Sequence, residues 1–369
     1  MSRLFHDGFE TGRPTPDGTT DTGSWRGSLW QHFMSTVANI RSIGVSTARA
    51  KNGQYSLRFY HSSTTAGTNS IRRDFEQNIK EHYGRAEVNF SSVVGTQRFL
   101  FFLDEHGANV GSIGFSQTGD YINAHLNIGT LEVEVLPEAF SRNTWVRLEW
   151  RLKIDELEGV FEVLRNGDLI LEYNGNTKGA TSGNGTRWFG IGRNYSSSNN
   201  ADFWVDDVAI NDPTGAVNHS WVGKGSVLLY VPTGAGHYKQ WASSDPGLDN
   251  WQAVGHVPDS GSNSFVTSGA PDQVDTYMFG APFTGTLHPT AQIRAVQHIV
   301  KGRYEGAEAK IAPVLRLDGA DHESGPLQVW DAFAGYAQTM FNTSPFTSEP
   351  WEVEEIATLE AGIKHKAIE

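Results

Sequence analysis

Eleven tryptophans are spread over 369 residues, and their settings divide them by the chemistry each could do. Trp25, Trp30, Trp188 and Tyr195 lie in Gly-, Ser- and Asn-rich segments or at the ends of strand-like runs. There an aromatic face can stack on a sugar ring while neighbouring Asn, Asp and Arg side chains hydrogen-bond its hydroxyls. Trp145, Trp150 and Trp204 sit inside alternating runs and are expected in a core. Trp241, Trp251 and Trp330, in the second part of the chain, are candidate anchors for contacts between subunits, whereas Trp351 reads as core. Other chemistry is scarce. Glu132 and Glu134 are i, i+2 neighbours, roughly 7 Å apart on one strand face, which reads as a solvated face rather than a hydrolytic pair. The same reading covers Asp155, Glu156 and Glu158 at a hairpin tip. With no cysteine there is no thiol nucleophile, disulfide, zinc–thiolate site or iron–sulfur cluster. The 13 histidines form no His-Glu-x-x-His helix, and neither a Gly-x-Ser-x-Gly elbow nor a phosphate loop is present. The expectation is a protein that is not an enzyme.

The elements that must position these residues are strands. A chain of 369 residues with 38% hydrophobic residues, 40 Gly and 14 Pro can bury two cores while making many turns. In Asn52–Tyr60 an Asn-Gly turn leads into Tyr55, Leu57 and Phe59 on one face. Arg98–Leu103 is a continuous apolar run, the pattern of a strand covered on both faces. Thr144–Tyr173 reads as a three-strand meander whose second turn is Asn166-Gly167. Phe75–Tyr83 is helix-like but weakly patterned. Turn signals accumulate at residues 211–215, so the expected domains are 1–211 and 212–369. The second part offers strands at 226–231, 275–279, 291–302, 310–317 and 326–333. It closes with one helix from Pro350, with Val353, Ile356, Leu359 and Ile363 along one face.

The net charge is −13, made of −5 before residue 212 (20 basic, 25 acidic) and −8 after it (9 basic, 17 acidic). This argues against a nucleic-acid backbone as partner. No secretory signal is visible at the amino terminus, and no apolar run of about 18 residues could span a membrane. The expectation is a soluble protein, not conventionally exported and made in the cytoplasm.

The order of five motifs resembles the concanavalin A-like, laminin-G-like jelly roll. They are Phe5-His6-Asp7-Gly8-Phe9-Glu10, the strand Gly53–Phe59, the strand Thr144–Glu149, the turn Asn166–Asp168 and the closing strand Trp204–Ile210. The resemblance covers about residues 3–211 and implies that the first and last strands lie side by side. It also implies a structural Ca²⁺ where they meet, with Asp7, Glu10, Asn52 and Asp206 as donors by position. Glycosidases of this fold carry a Glu-x-Asp-x-Glu type of strand, from which Glu132, Glu134 and Glu138 depart.

Residues 213–369 resemble the carboxy-terminal module of tailed-bacteriophage virion proteins. The match runs through Gly225–Thr233, Trp251–Val254, Asp275–Phe279 and Ile293–Gln297 and is densest over Pro350–Lys364. It implies a virion structural protein of the tail (minor tail, tip, baseplate or fibre) more than of the capsid. By that resemblance its partners would be other copies of itself, as a trimer, other virion proteins and a host-surface glycan. The fold expectation is mainly β, a jelly-roll sandwich followed by a smaller β-rich domain ending in one helix. Alternatives are a host-surface lectin and a capsid decoration protein.

Overall fold

Short alternating runs become antiparallel strands throughout. The computed structural model describes residues 2–11, 23–24, 29–35, 41–61, 69–93, 97–115, 122–126, 133–134, 141–178, 183–193, 201–256, 264–282, 286–306, 308–329 and 335–368. Among them every strand pairing is antiparallel and only two short helices occur. No helix among them is long and apolar enough to cross a membrane. The chain divides into two units, the first ending at Val227 and the second holding residues from Leu228 on together with Glu10, Thr11 and Leu29.

The first unit contains β1 (Arg3–Asp7), β2 (Gly23–Ser24), β3 (His32–Ser35), β4 (Arg41–Ser46), β5 (Ser56–His61), β6 (Asn69–Ile79), β7 (Glu81–Val93) and β8 (Gln97–Leu103). It continues with β9 (Asn109–Phe115), β10 (Ile122–Leu126), β11 (Val133–Glu134), β12 (Trp145–Lys153), β13 (Gly159–Arg165), β14 (Asp168–Gly175), β15 (Thr186–Arg193) and β16 (Ala201–Asn211). One sheet runs β14-β13-β12-β7-β16-β5-β4, with β1 also on β16. The other runs β11-β10-β9-β8-β15-β6-β3-β2. Alternation points Ala86, Val88, Phe90, Val146, Leu148, Trp150 and Leu152 of the first sheet inward, and all are buried. They meet the second sheet through aromatic pairs, Trp150–Phe189 at 5.4 Å and Phe90–Phe115 at 4.3 Å between ring centroids. This is the expected mainly-β sandwich. The 144–173 meander is β12-β13-β14, and Asn166 and Gly167 both take positive φ, 56° and 103°, as a hairpin turn matched to strand twist requires. The first and last strands of the unit, β1 and β16, lie side by side as expected, with His6 opposite Ala209. The helix-like stretch at 75–83 is strand, the end of β6 and the start of β7.

The second unit contains β17 (Gly234–Lys239), β18 (Ala242–Ser243), α1 (Asn250–Val254), β19 (Val266–Thr267), β20 (Val274–Met278), β21 (Val296–Gly302) and β22 (Lys310–Leu317). It ends with β23 (Ala320–Glu323), β24 (Leu327–Gln328), β25 (Gly335–Phe341), α2 (Val353–Thr358) and β26 (Glu360–Lys366). Its main sheet runs β17-β20-β26-β22-β23, with β24 on β22. Two expectations change here. The apolar run at 226–231 forms no strand beyond a single bridge at Tyr230, because the Val227 amide donates to the Asp207 carboxylate at 2.6 Å instead of to a ladder. The carboxy-terminal helix stops at Thr358, and the residues after it become the central strand β26. Leu359 and Ile363 are four apart and fit a helix face, but with Ala361 between them, all three buried, the same stretch also alternates as a strand. Gly362 settles the choice. It is a poor helix former, and a Cβ there would lie 1.9 Å from the Asp275 carbonyl oxygen, so only glycine lets β26 pack this closely on β20.

Candidate functional site

The outer faces of the two sandwich sheets differ in what they leave unpaired. On the first sheet, charged side chains pair with one another or with backbone. Arg58 holds Asp202 through two contacts of 2.9 and 3.0 Å, and Arg147 holds Glu149 at 2.8 Å. Arg151 donates to Glu81 at 2.8 Å, and Arg85 donates to the Asp207 carbonyl at 3.0 Å. Among the described residues of that face, the Trp204 indole nitrogen alone is buried without a hydrogen-bond partner. It lies under the Arg49 guanidinium, 4.2 Å from the ring centroid.

The second sheet is different. Register places His125 opposite Ser112, Ser112 opposite Phe101, Phe101 opposite Gly190, Gly190 opposite Arg72 and Arg72 opposite His32. From His125 to Arg72 they form one transverse row over five strands, about 19 Å long. It faces outward, since Gly111, Ile113, Ala124, Leu126 and Phe189 take the alternate positions toward the core. Ser112 and His125 are 0% and 4% exposed. The Ser112 hydroxyl and both His125 ring nitrogens have no hydrogen-bond partner among the described residues, nor has the Ser70 hydroxyl two positions from Arg72 on the same face. Gly190 is needed here because the Phe101 ring occupies the place of its Cβ, with ring carbons 2.0 Å from it. The Arg72 guanidinium lies over Phe101, 5.4 Å from the ring centroid. Burial pushes Arg72 down to about 10. Burial, and then the charge of Arg98, push His125 down to about 4. Arg72 is therefore a cation at neutral pH and His125 a neutral imidazole, with one nitrogen to donate and one to accept.

The residues singled out from the sequence lie elsewhere, with one exception. Trp188 is half-buried on β15, opposite Leu103 and Asp74, next along the same outer face. Trp30 is core, not a sugar platform. It is fully buried, stacked on Phe9 and edge-on to Phe5, and its indole N–H donates to Asp7 at 2.8 Å. Trp25, Tyr195, Trp330, Glu132 and Glu138 fall outside the described residues, and Glu134 sits on the short edge strand β11. Trp241 and Trp251 are half-buried. Trp241 packs on the cluster of Ile311, Val329, Ala337 and Ile363 and donates to the Gln273 carbonyl at 3.1 Å. Trp351 is core.

The expected calcium donors Asp7, Glu10, Asn52 and Asp206 each have partners within the protein. Asp7 turns to Trp30 and to the Phe9 amide, and Glu10 is buried. Asp206 accepts the amides of Lys51, Asn52 and Asp207. Among the described residues no group of three or more Asp, Glu or His could hold a metal. What remains is a carboxyl pair at the bulge of β16, where Asp207 has φ 48° and accepts from Asn52 Nδ2.

Burial and the neighbouring Asp207 charge push Asp206 up to about 9, against three amide donors that favour its anion. Asp207 is raised as well, by burial first. The folded pair therefore keeps a proton that unfolded aspartates have released, and stability falls as pH rises from about 4 toward 9. Between pH 8 and 9, where histidines are nearly neutral in both states, about 1 kcal/mol of unfolding free energy should be lost. Urea titrations at several pH values read this slope, and Asp206→Asn should flatten it. An equal slope in that variant would show that the pair does not hold the proton.

No family model matches the chain, and no curated protein matches it. Among solved structures it is similar to a cellulose-induced protein, Cip1, at 15% identity over 60% of this chain and 100% of that one, with a TM-score of 0.40. An alginate lyase of polysaccharide lyase family 7 matches at 12% identity over 54% of this chain and 91% of that one, TM-score 0.35. A Trypanosoma rangeli sialidase matches at 10% identity over 54% of this chain and 30% of that one, TM-score 0.34. All three TM-scores lie below 0.5, and the sandwich of the first unit rests on its own strand pairing.

Proposed function

We propose that this protein binds a glycan on the outer face of its second sheet, along the row from His125 to Arg72. The observation that supports it is the burial of Ser112 and His125 with no hydrogen-bond partner among the described residues. Leaving such groups unsatisfied costs roughly 1–3 kcal/mol each; at 0% and 4% exposure they are reached only by a sugar that displaces what covers the face, and its hydroxyls, which both donate and accept, would then satisfy them. Trp188, beside the row, offers an aromatic surface of the kind that packs on sugar rings. The motifs of residues 213–369 support a phage virion as its address, with assembly as the second unit's task; detection of the chain in purified tails but not heads by mass spectrometry tests that part.

An array of bacterial surface polysaccharides tests the binding. The wild-type protein should be retained by at least one of them without releasing new reducing ends. Ser112→Ala and His125→Ala should weaken retention about tenfold or more; the Ser112→Ala midpoint should stay level or rise, because it removes an unsatisfied buried group, whereas His125→Ala also leaves a cavity, so its retention is scaled to the folded fraction. Retention of no polysaccharide, or variants that bind as the wild type does, would overturn the proposal.

A further inference from the structure

We propose that the Asp245–Pro246 peptide bond is a self-cleavage site, cut by the Asp245 side chain. The chain holds two Asp-Pro bonds, 212–213 and 245–246, and the fold treats them differently. Asp245, Pro246 and Gly247 are exposed in the turn between β18 and α1. The turn is closed by the Leu248 amide, which donates to the Asp245 carbonyl at 3.0 Å, and Pro246 supplies the fixed φ that its second position favours. The Asp245 carboxylate folds back over the same peptide, its Oδ1 accepting the Gly247 amide at 2.9 Å. The Ser243 hydroxyl donates to the Asp245 carbonyl at 2.8 Å and accepts the Asp245 amide at 3.2 Å.

These contacts match what the reaction requires. A carboxylate oxygen of Asp245 attacks the carbonyl carbon of the same residue, and the C=O electron pair moves onto the carbonyl oxygen. Two donors, the Ser243 O–H and the Leu248 N–H, already point at that oxygen and stabilise the charge it gains. The C–N bond to Pro246 then breaks; its electron pair goes to the nitrogen, which takes a proton from solvent and leaves as a secondary amine. Asp245 is left as a cyclic anhydride that water opens to two carboxyl groups, so the sum is hydrolysis of one peptide bond by one water. Nucleophile and target belong to one residue, which makes the attack unimolecular. Asp212 is set differently. It is 3% exposed, and its Oδ1 is occupied by both the amide and the hydroxyl of Thr214, at 2.9 and 2.8 Å. A cut after Asp245 leaves the two pieces docked, because β17 stays paired with β20 and the amides of Gln240 and Trp241 stay on Asp275.

The test incubates the full chain at about pH 5 without protease and follows it by denaturing gel, intact mass and amino-terminal sequencing. A fragment beginning Pro246-Gly247-Leu248 should accumulate about tenfold or more faster than one beginning at Pro213. Under native conditions the nicked chain should elute with the intact one. Asp245→Asn should abolish the cut, and Ser243→Ala and Pro246→Ala should each slow it about tenfold or more. These positions are exposed or half-buried, and circular dichroism checks that each variant keeps the fold. In urea both Asp-Pro bonds should be cut at similar rates, so the preference in the folded chain reads the turn and not the dipeptide. A folded chain cut no faster at 245–246 than at 212–213, or a Ser243→Ala chain cut as fast as the wild type, would overturn the inference.

Discussion

Replacing Asp275 by Ala is expected to lower the stability of the second unit by roughly 3–5 kcal/mol and its unfolding midpoint by on the order of 10 °C. Asp275 lies on β20, between β17 and β26, and is fully buried. One carboxylate oxygen accepts the amides of Gln240 at 2.8 Å and Trp241 at 3.3 Å. The other accepts Asn250 Nδ2 and the Tyr277 hydroxyl, each at 2.8 Å. Burial, and then the charge of Asp275, push the Tyr277 phenol up, so it stays a donor. A single side chain thus joins the turn after β17, the start of α1 and the strand β20. Alanine would strand four donors at once, each at about 1–3 kcal/mol before water or rearrangement relieves part of the cost. Asp275→Asn keeps one acceptor but turns an NH₂ toward two donors, so an intermediate loss is expected. Hydrogen exchange reads the outcome by unit: amides of 274–278 and 360–366 should exchange faster in the variant, while those of 81–93 should not. Unchanged protection at 274–278 would refute the role assigned to this carboxylate.

Trp30→Ala should cost the first unit roughly 3–5 kcal/mol. The indole fills space among Phe5, Phe9 and Phe189, at centroid separations of 5.1, 6.0 and 5.9 Å, so truncation leaves a cavity. It also removes a donor from Asp7, which is itself buried. Trp30→Phe separates the two effects: it refills most of the cavity and still leaves Asp7 without the indole N–H, for an expected loss of about 1–3 kcal/mol. Urea midpoints measure both variants. Glycan retention, scaled to the folded fraction, should be unchanged. A normal midpoint with lost retention would restore Trp30 as a sugar contact and contradict its place in the core.

The contrast between Trp30 and Trp188 shows where sequence reading reaches its end. Both lie among small and polar residues, and nothing local says that one indole is enclosed by Phe5, Phe9 and Phe189 while the other stays half-buried on an outer face. The meander from Trp145 to Gly175 was legible because period-2 alternation and an Asn-Gly turn are local signals. The pairing of β1 with β16 was legible through resemblance, not through any feature of either strand. The row from His125 to Arg72 was not legible. Its members are ordinary polar, glycine and aromatic residues of five different strands, and none carries a motif. The run 98–103 did signal a strand covered on both faces. Phe99 through Leu103 are all buried, and the cover on the outer side of Phe101 includes the Arg72 guanidinium.

By itself the sequence determined the mainly-β class, most strands of the sandwich, the positions of the tight turns and the absence of thiol chemistry. These follow from composition and from side-chain alternation, which act over a few residues. Tertiary structure alone decided which polar residues stand together and which conformation residues 360–366 take. The first is a matter of register. Residues 72, 101, 112, 125 and 190 become neighbours only when strand lengths and bulges bring their rungs into line, and a shift of one residue would turn every one of those side chains to the opposite face. The second is a matter of fit. Leu359 and Ile363, four apart, suit a helix as well as a strand, and the slot between β20 and β22, where the Asp275 carbonyl leaves no room for a Cβ at Gly362, makes 360–366 a strand.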